Sequence, residues 1–172
     1  MVPYSYSLSK PGYRCKMSSK RKRHVVLMVD DDPDDILLMR DAIKEVAPSV
    51  KFKAVHDGQE MMDYLSVAAG AAQDVRTPCP ELILLDLRMP KKSGFEVLDE
   101  VKRDSVLRGI PVVILSTSTA EQDIDRSYSM GANTFIPKPQ TYDELLTVMS
   151  QTMNYWFGIS RLPSICSKNG RY

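Results

Sequence analysis

Five short apolar runs, each of strand length and each followed by a segment with helical spacing, constrain this chain more than any other feature. The third is the clearest. Leu82 to Asp86 reads LILLD and leads into a proline-bearing loop that ends at Gly94. A strand buried on both faces reads as continuous Leu and Ile instead of alternating, so Asp86 is expected at the carboxyl end of a parallel strand. That edge is where open α/β sheets bind ligands. Taken alone the stretch decides little, because an Asp after a strand serves as a turn former or helix cap as readily as it serves chemistry.

The other runs extend the pattern in both directions. VVLMVD, Val25 to Asp30, is a buried strand ending in acids, and Ile36, Leu37, Met39, Arg40, Ile43 and Val46 give a helical stripe behind Pro33 at a first-turn position. Pro48 stops that helix. FKAV, Phe52 to Val55, is the second strand, after which His56-Asp57-Gly58 turns into a helix with Met61, Met62, Leu65 and Val67 as its apolar side. A looser segment, Gly70 to Pro80, precedes LILLD. A helix from Ser93 carries Phe95, Val97, Leu98 and Val101 inward, and PVVILS, Pro111 to Ser116, is the fourth strand. Ala120 to Met130 is helical and closed by Gly131, and Thr134 to Ile136 is the fifth strand. The last helix starts after the cap candidate Thr141 and runs through Leu145, Leu146, Val148, Met149 and Met153. Five strand-helix units in this order, joined by right-handed crossovers, make a parallel sheet between two helical layers the economical solution.

The chain has 172 residues, 43% hydrophobic and 26% charged, enough for one well-buried core and too few for two comfortable ones. The expected organisation is a flexible arm over residues 1–23, one domain over 24–155 and an extension over 156–172. Lys plus Arg, 23, nearly balances Asp plus Glu, 22, so no global field draws the protein to nucleic acid or to an anionic membrane. The basic run Lys20-Arg21-Lys22-Arg23 reads as solvated charge more readily than as a nucleic-acid patch. No stretch has the apolar length to span a bilayer and the first residues lack a signal-peptide core, which points to the cytoplasm. Cys15, Cys79 and Cys166 are widely spaced and form no C-x-x-C pair, so free thiols are expected. Translation could begin at Met1 or at Met17.

Neighbouring strand ends turn Asp86 into part of a cluster. In a doubly wound sheet strands one and three are adjacent, so Asp30, Asp31 and Asp32 meet Asp86 at one edge. Unit charges about 4 Å apart repel by roughly 4 kcal/mol per pair at an effective dielectric near 20, so such a cluster needs a cation or a proton. Oxygen-only ligands favour a hard ion, and an open site suits Mg²⁺ better than the fuller cage that Ca²⁺ prefers. Ser116 and Thr117 end strand four and Lys138 follows strand five. Acids, hydroxyls and a lysine converging on one sheet edge describe a phosphoryl-transfer site.

With these residues in order, the sequence resembles the receiver domains of two-component response regulators. The resemblance runs from about Val25 to Tyr155 and rests on VDDDPDD, HDGQEMMDYL, LILLDLRMPKKSG, PVVILSTS and GANTFIPKP in their spacing. It implies an α/β fold, a flavodoxin-like, doubly wound five-stranded parallel sheet of strand order 2-1-3-4-5 with helices on both faces. It implies that Asp86 is the phospho-acceptor and that Asp30, Asp31, Asp86 and the backbone carbonyl of Arg88 hold Mg²⁺, with Asp32 the extra acid often found beside them. Ser116 stands at the family's switch hydroxyl and Phe135 at its switch aromatic, while Lys138 is the phosphate-contacting lysine and Lys138-Pro139 is expected cis. The partner implied is a sensor histidine kinase, and the protein is a phospho-acceptor, not a classical enzyme. Plainer readings stay open for two of these residues, since Phe135 is a buried aromatic whether or not it switches and Ser116 could be only a cap.

The carboxyl-terminal segment narrows the expectation. Too few residues lie beyond Lys138 to hold both the fifth helix and a DNA-binding output domain, so the chain reads as a stand-alone receiver. The run Tyr155-Trp156-Phe157 through Leu162-Pro163 resembles the extension of single-domain regulators paired with phytochrome histidine kinases. Tyr142, Leu145, Leu146, Met149, Met153 and Trp156 recur at helical spacing, and Phe157, Ile159 and Leu162 continue the apolar set. The expectation is a homodimer through the fifth helix and the extension, with truncation after Asn154 giving a folded monomer; the alternative is a tail folded back on its own domain. A nucleotide-binding enzyme would need a glycine-rich phosphate loop, and no two glycines lie within two residues of each other. A haloacid-dehalogenase-like phosphatase would use D-x-D after its first strand, where this chain offers D-D-D. The serious alternative is a receiver-fold interaction module that no longer cycles phosphate.

Overall fold

The computed structural model describes residues 23–70 and 76–163. The apolar runs become strands β1 (Val25–Val29), β2 (Lys51–Val55), β3 (Leu82–Asp86), β4 (Val112–Ser116) and β5 (Thr134–Pro137). They alternate with helices α1 (Pro33–Val46), α2 (Gly58–Ala69), α3 (Gly94–Arg103), α4 (Glu121–Ser129) and α5 (Tyr142–Met153). Every pairing is parallel and the strand order is 2-1-3-4-5. The three central strands, β1, β3 and β4, are buried at every residue, whereas edge strands β2 and β5 are half-buried over most of their length. This difference explains their composition, because Lys51 and Lys53 are tolerable on an edge and would not be in the middle.

Alternate residues of each strand feed two cores. Leu27, Val29, Ile83, Leu85 and Ile114 pack with Met61 and Leu65 of α2 and Val97, Leu98 and Val101 of α3. Val26, Met28, Leu84, Val113 and Leu115 pack on the other face with Met39 and Ile43 of α1 and Leu145, Met149 and Met153 of α5. The helix starts are fixed locally. Ser93 and Thr141 form capping boxes with Glu96 and Glu144, Asp57 caps α2, and Asp32 caps α1 with Pro33 behind it. Gly94 brings α3 against the end of β3 so closely that a Cβ there would stand 2.2 Å from the Asp86 carbonyl oxygen. Gly131, at φ +92°, ends α4 in the left-handed region that favours glycine.

Three expectations need correction. Leu37 and Val67 are 44% and 48% exposed, because Met39, Ala42 and Ile43 set the buried phase of α1 and Met61, Leu65 and Ala68 that of α2. The Lys138–Pro139 bond is trans, as are the peptide bonds among the described residues generally; trans is the lower-energy isomer of X–Pro by about 0.5–1 kcal/mol. Cys79 is disulfide-bonded rather than free, since distance along the chain does not set distance in the fold. As far as Ile159, the chain beyond α5 stays against the domain. It continues as a π-helical stretch, Asn154–Ile159, with Trp156 and Phe157 packed on the α1–α5 core and Phe157 stacked on His24 at 4.5 Å. Met17, the basic run through Lys22, Cys15 and Cys166 lie outside the described residues, as do residues 71–75 of the looser segment. Among the described residues, no helix is long and apolar enough to cross a membrane.

Candidate functional site

Parallel register lines up the carboxyl ends of four strands. Val29 pairs with Leu85, Asp86 with Leu115 and Ser116 with Pro137, so Asp30, Asp86, Ser116 and Lys138 emerge side by side. Two backbone bonds hold this edge: Asp30 N–H donates to the Val55 carbonyl at 3.2 Å, and Lys138 N–H to the Ser116 carbonyl at 2.9 Å. Carboxylate oxygens of Asp30, Asp31 and Asp86 all lie within 4.8 Å of one another. Asp30 and Asp86 are buried and Asp31 is exposed, so the cluster has dry walls and one open side.

Each buried acid has assigned partners. Asp30 Oδ1 accepts from the Asp32 N–H at 3.0 Å, and its Oδ2 accepts from Lys138 Nζ at 2.8 Å. Asp86 Oδ2 accepts from the Arg88 N–H at 2.8 Å, while its Oδ1 lies 3.4 Å from Lys138 Nζ. Burial pushes the Asp30 carboxyl above the usual carboxylate range, against the lowering effect of Lys138 and the Asp32 N–H. Lys138 is held above its ordinary value: burial works to lower it, and hydrogen bonds to Asp30 and Asp35 with the nearby Asp86 outweigh that. An all-oxygen set of this charge fits a hard divalent cation.

Asp32, placed by sequence near the cluster, serves elsewhere. Its carboxylate accepts from Asp34 N–H at 2.8 Å as the α1 cap, outside the three-acid group. Ser116 is fully buried and its Oγ accepts from Ser118 N–H at 3.1 Å, whereas Thr117 beside it is exposed. Ser118 Oγ donates in turn to Asp123 Oδ2 at 2.5 Å, and the Arg88 guanidinium stands 3.8 Å from that same oxygen. Phe135 is half-buried against the α2–α3 core, and its N–H donates to the Tyr128 hydroxyl at 3.2 Å, which ties edge strand β5 to α4.

Sequence reasoning missed Asp35, whose Oδ2 accepts from Lys138 Nζ at 2.6 Å, and the Ser118–Asp123 pair that backs Ser116. A signal existed for the first. Asp30, Asp31, Asp32, Asp34 and Asp35 are more acids than one cation and one helix start require. An acid in a first turn nevertheless reads as a complement to the helix dipole, and nothing local announces a partner more than a hundred residues away.

Comparison with known proteins agrees with this geometry. The response regulator receiver domain family matches residues 26–150. The probable methanogenesis regulatory protein FilR2 of Methanothrix harundinacea is 34% identical over 81% of this chain and 87% of its own length. The crystal structure of the phosphorylated cyanobacterial phytochrome response regulator RcpA superposes with a TM-score of 0.73 at 36% identity, over 83% of this chain and 99% of that one. The manganese-bound form of response regulator Rcp1, a protein of Synechocystis, gives 0.71 at 33%, over 82% and 99%.

Proposed function

The chain belongs to the response regulator receiver domain family of two-component signalling and is related to phytochrome response regulators, and on that premise we propose that it accepts one phosphoryl group on Asp86 from a sensor histidine kinase in a Mg²⁺-dependent reaction. The observation that carries the reading is the buried Asp86 carboxylate set between two further acids and the Lys138 ammonium. A receiver of this kind is a signal carrier, not a classical enzyme. The same reading assigns it to the cytoplasm, and likeness to RcpA makes a phytochrome kinase the proposed donor.

Asp86 attacks phosphorus through a carboxylate oxygen as the bond from phosphorus to the donor histidine nitrogen breaks, and that nitrogen keeps the electron pair. A Mg²⁺ ion held by Asp30, Asp31, Asp86 and the Arg88 carbonyl would neutralise the phosphoryl oxygens and position them for in-line transfer. Lys138 contributes positive charge from the opposite side, and Arg88 N–H steadies the acceptor through its second oxygen. Once the acyl phosphate has formed, the Ser116 hydroxyl turns from Ser118 N–H to a phosphoryl oxygen, and Thr117 supplies a second hydroxyl at the same strand end. Phe135 then moves inward and the α4–β5 face repacks, giving local charge a distant readout.

Incubation with Mg²⁺ and acetyl phosphate is expected to add the mass of one phosphoryl group to the intact protein, and chelator to prevent it. An unmodified protein under both conditions would favour a receiver-fold interaction module that works without phosphorylation.

We also assign a homodimer to the α5 face and its π-helical continuation. Trp156 and Phe157 belong to the protein's own core, which accounts for half of the apolar tail; Tyr155 and Ile159, four residues apart, remain 52% and 68% exposed. The substitution pair Tyr155→Ser with Ile159→Glu tests this more cleanly than truncation after Asn154, which would also strip core residues. Light scattering at tens of micromolar should give a dimer for the parent and a monomer for the variant; a monomeric parent or a dimeric variant would end the assignment.

A further inference from the structure

Lys138 is shared among three carboxylates, and its shortest contact is not to the acceptor. Nζ stands 2.6 Å from Asp35 Oδ2 and 2.8 Å from Asp30 Oδ2, against 3.4 Å from Asp86 Oδ1. The two closer partners differ in how readily they can release it. The Asp30 side chain is 1% exposed and, in the metal-free site, would keep only the Asp32 N–H if the ammonium left, whereas that of Asp35 is 37% exposed and water can take over its solvation. Asp35 is also surplus to the helix start, since Asp32 caps α1 and Asp34 already lies in the first turn.

Building on the phospho-acceptor reading of Asp86, we propose that Asp35 is a positioning residue that holds the Lys138 ammonium away from the acceptor and so restrains phosphorylation. The incoming phosphoryl group must draw the ammonium off Asp35 as the new oxygen–phosphorus bond forms on Asp86 and the donor's bond breaks. The donor leaves with the electron pair, and neither Lys138 nor Asp35 gains or loses a proton. Lys138 and Asp35 both line an open pocket of about 110 Å³, with Met28, Met39, Leu115 and Leu145 among its other walls, so the lysine stem is not packed on every side.

The test compares initial rates of phosphorylation by acetyl phosphate below saturation, with Mg²⁺, followed by intact mass. Asp35→Asn is expected to react about three to five times faster than the parent, the effect of releasing one part-exposed ion pair. Asp35→Glu keeps the charge on a stem one methylene longer that can still meet Lys138, and should stay at the parent rate. Asp34→Asn removes an equal charge from the same turn and should also leave the rate unchanged. Asp35→Ala should match Asp35→Asn, which guards against an amide that still holds the lysine. An unchanged or slower Asp35→Asn with a normally reacting parent overturns the holding role alone, as does an equal gain in Asp34→Asn. A parent that takes up no phosphoryl group overturns the underlying reading, and this role with it.

Discussion

Asp86→Asn is expected to lose phosphorylation entirely and, in chelator, to unfold at a higher temperature than the parent. Asparagine keeps the shape of the side chain and can still accept from the Arg88 N–H, so the change removes one negative charge and, with it, the attraction to Lys138 Nζ 3.4 Å away. Without a cation, Asp30, Asp31 and Asp86 crowd within 4.8 Å with one ammonium among them, and that ammonium is already engaged by Asp30 and Asp35. Relief of repulsion in a site this buried should stabilise the fold by about 1–3 kcal/mol. For a domain of this size that corresponds to a rise of roughly 2–10 °C in Tm. Added Mg²⁺ should narrow the gap, because ligand binding to the folded parent supplies stability that the variant can no longer recruit fully. An equal or lower Tm in chelator would contradict the shared site.

Lys138→Met should move stability the other way. Methionine preserves most of the apolar stem beside Met28 and Leu145, so the loss is that of the ammonium. Asp30 is then a buried carboxylate with one backbone donor and no cation, and breaking a buried pair in this way costs about 3–5 kcal/mol. Mg²⁺ should restore part of it, and the rate of phosphorylation should still fall by about a hundredfold or more for want of charge on the transferring group. Thermal unfolding with and without Mg²⁺, alongside intact-mass rates, reads both effects. A variant as stable as the parent in chelator would mean that Lys138 does not neutralise Asp30. The two substitutions alter the same electrostatic balance from opposite sides, so their opposite signs form a single test.

Most of what places this site was legible because it rests on strong, local patterns. Continuous apolar runs marked β1 and β3 as buried strands and PVVILS as the strand β4, and each ended in the residues that form the site: Asp30 after Val29, Asp86 closing β3, Ser116 closing β4. Helix faces were harder where apolar residues outnumbered the positions a face can bury. Ile36, Leu37, Leu38 and Met39 are consecutive in α1, and the packing against α5 chose Ile36 and Met39 and turned both leucines outward. The six acids from Asp30 to Asp41 looked alike in sequence. Their separate tasks, cluster member, helix cap, lysine holder and surface charge, depend on β5 and β1 reaching the same edge, a tertiary fact. The π-helical continuation after Met153 also carried no pattern of its own. It arises from Trp156 and Phe157 reaching the α1–α5 core and from Phe157 meeting His24.

Chemical trapping of the phosphorylated residue tests the assignment of Asp86 most directly. Borohydride reduces an acyl phosphate on aspartate to homoserine, so peptide mapping after treatment of the protein with Mg²⁺ and acetyl phosphate reports the modified position. Homoserine at position 86 alone, absent when Mg²⁺ is chelated, is the expected result. Conversion at another acid with position 86 untouched, or phosphoryl uptake with no conversion anywhere, would contradict it.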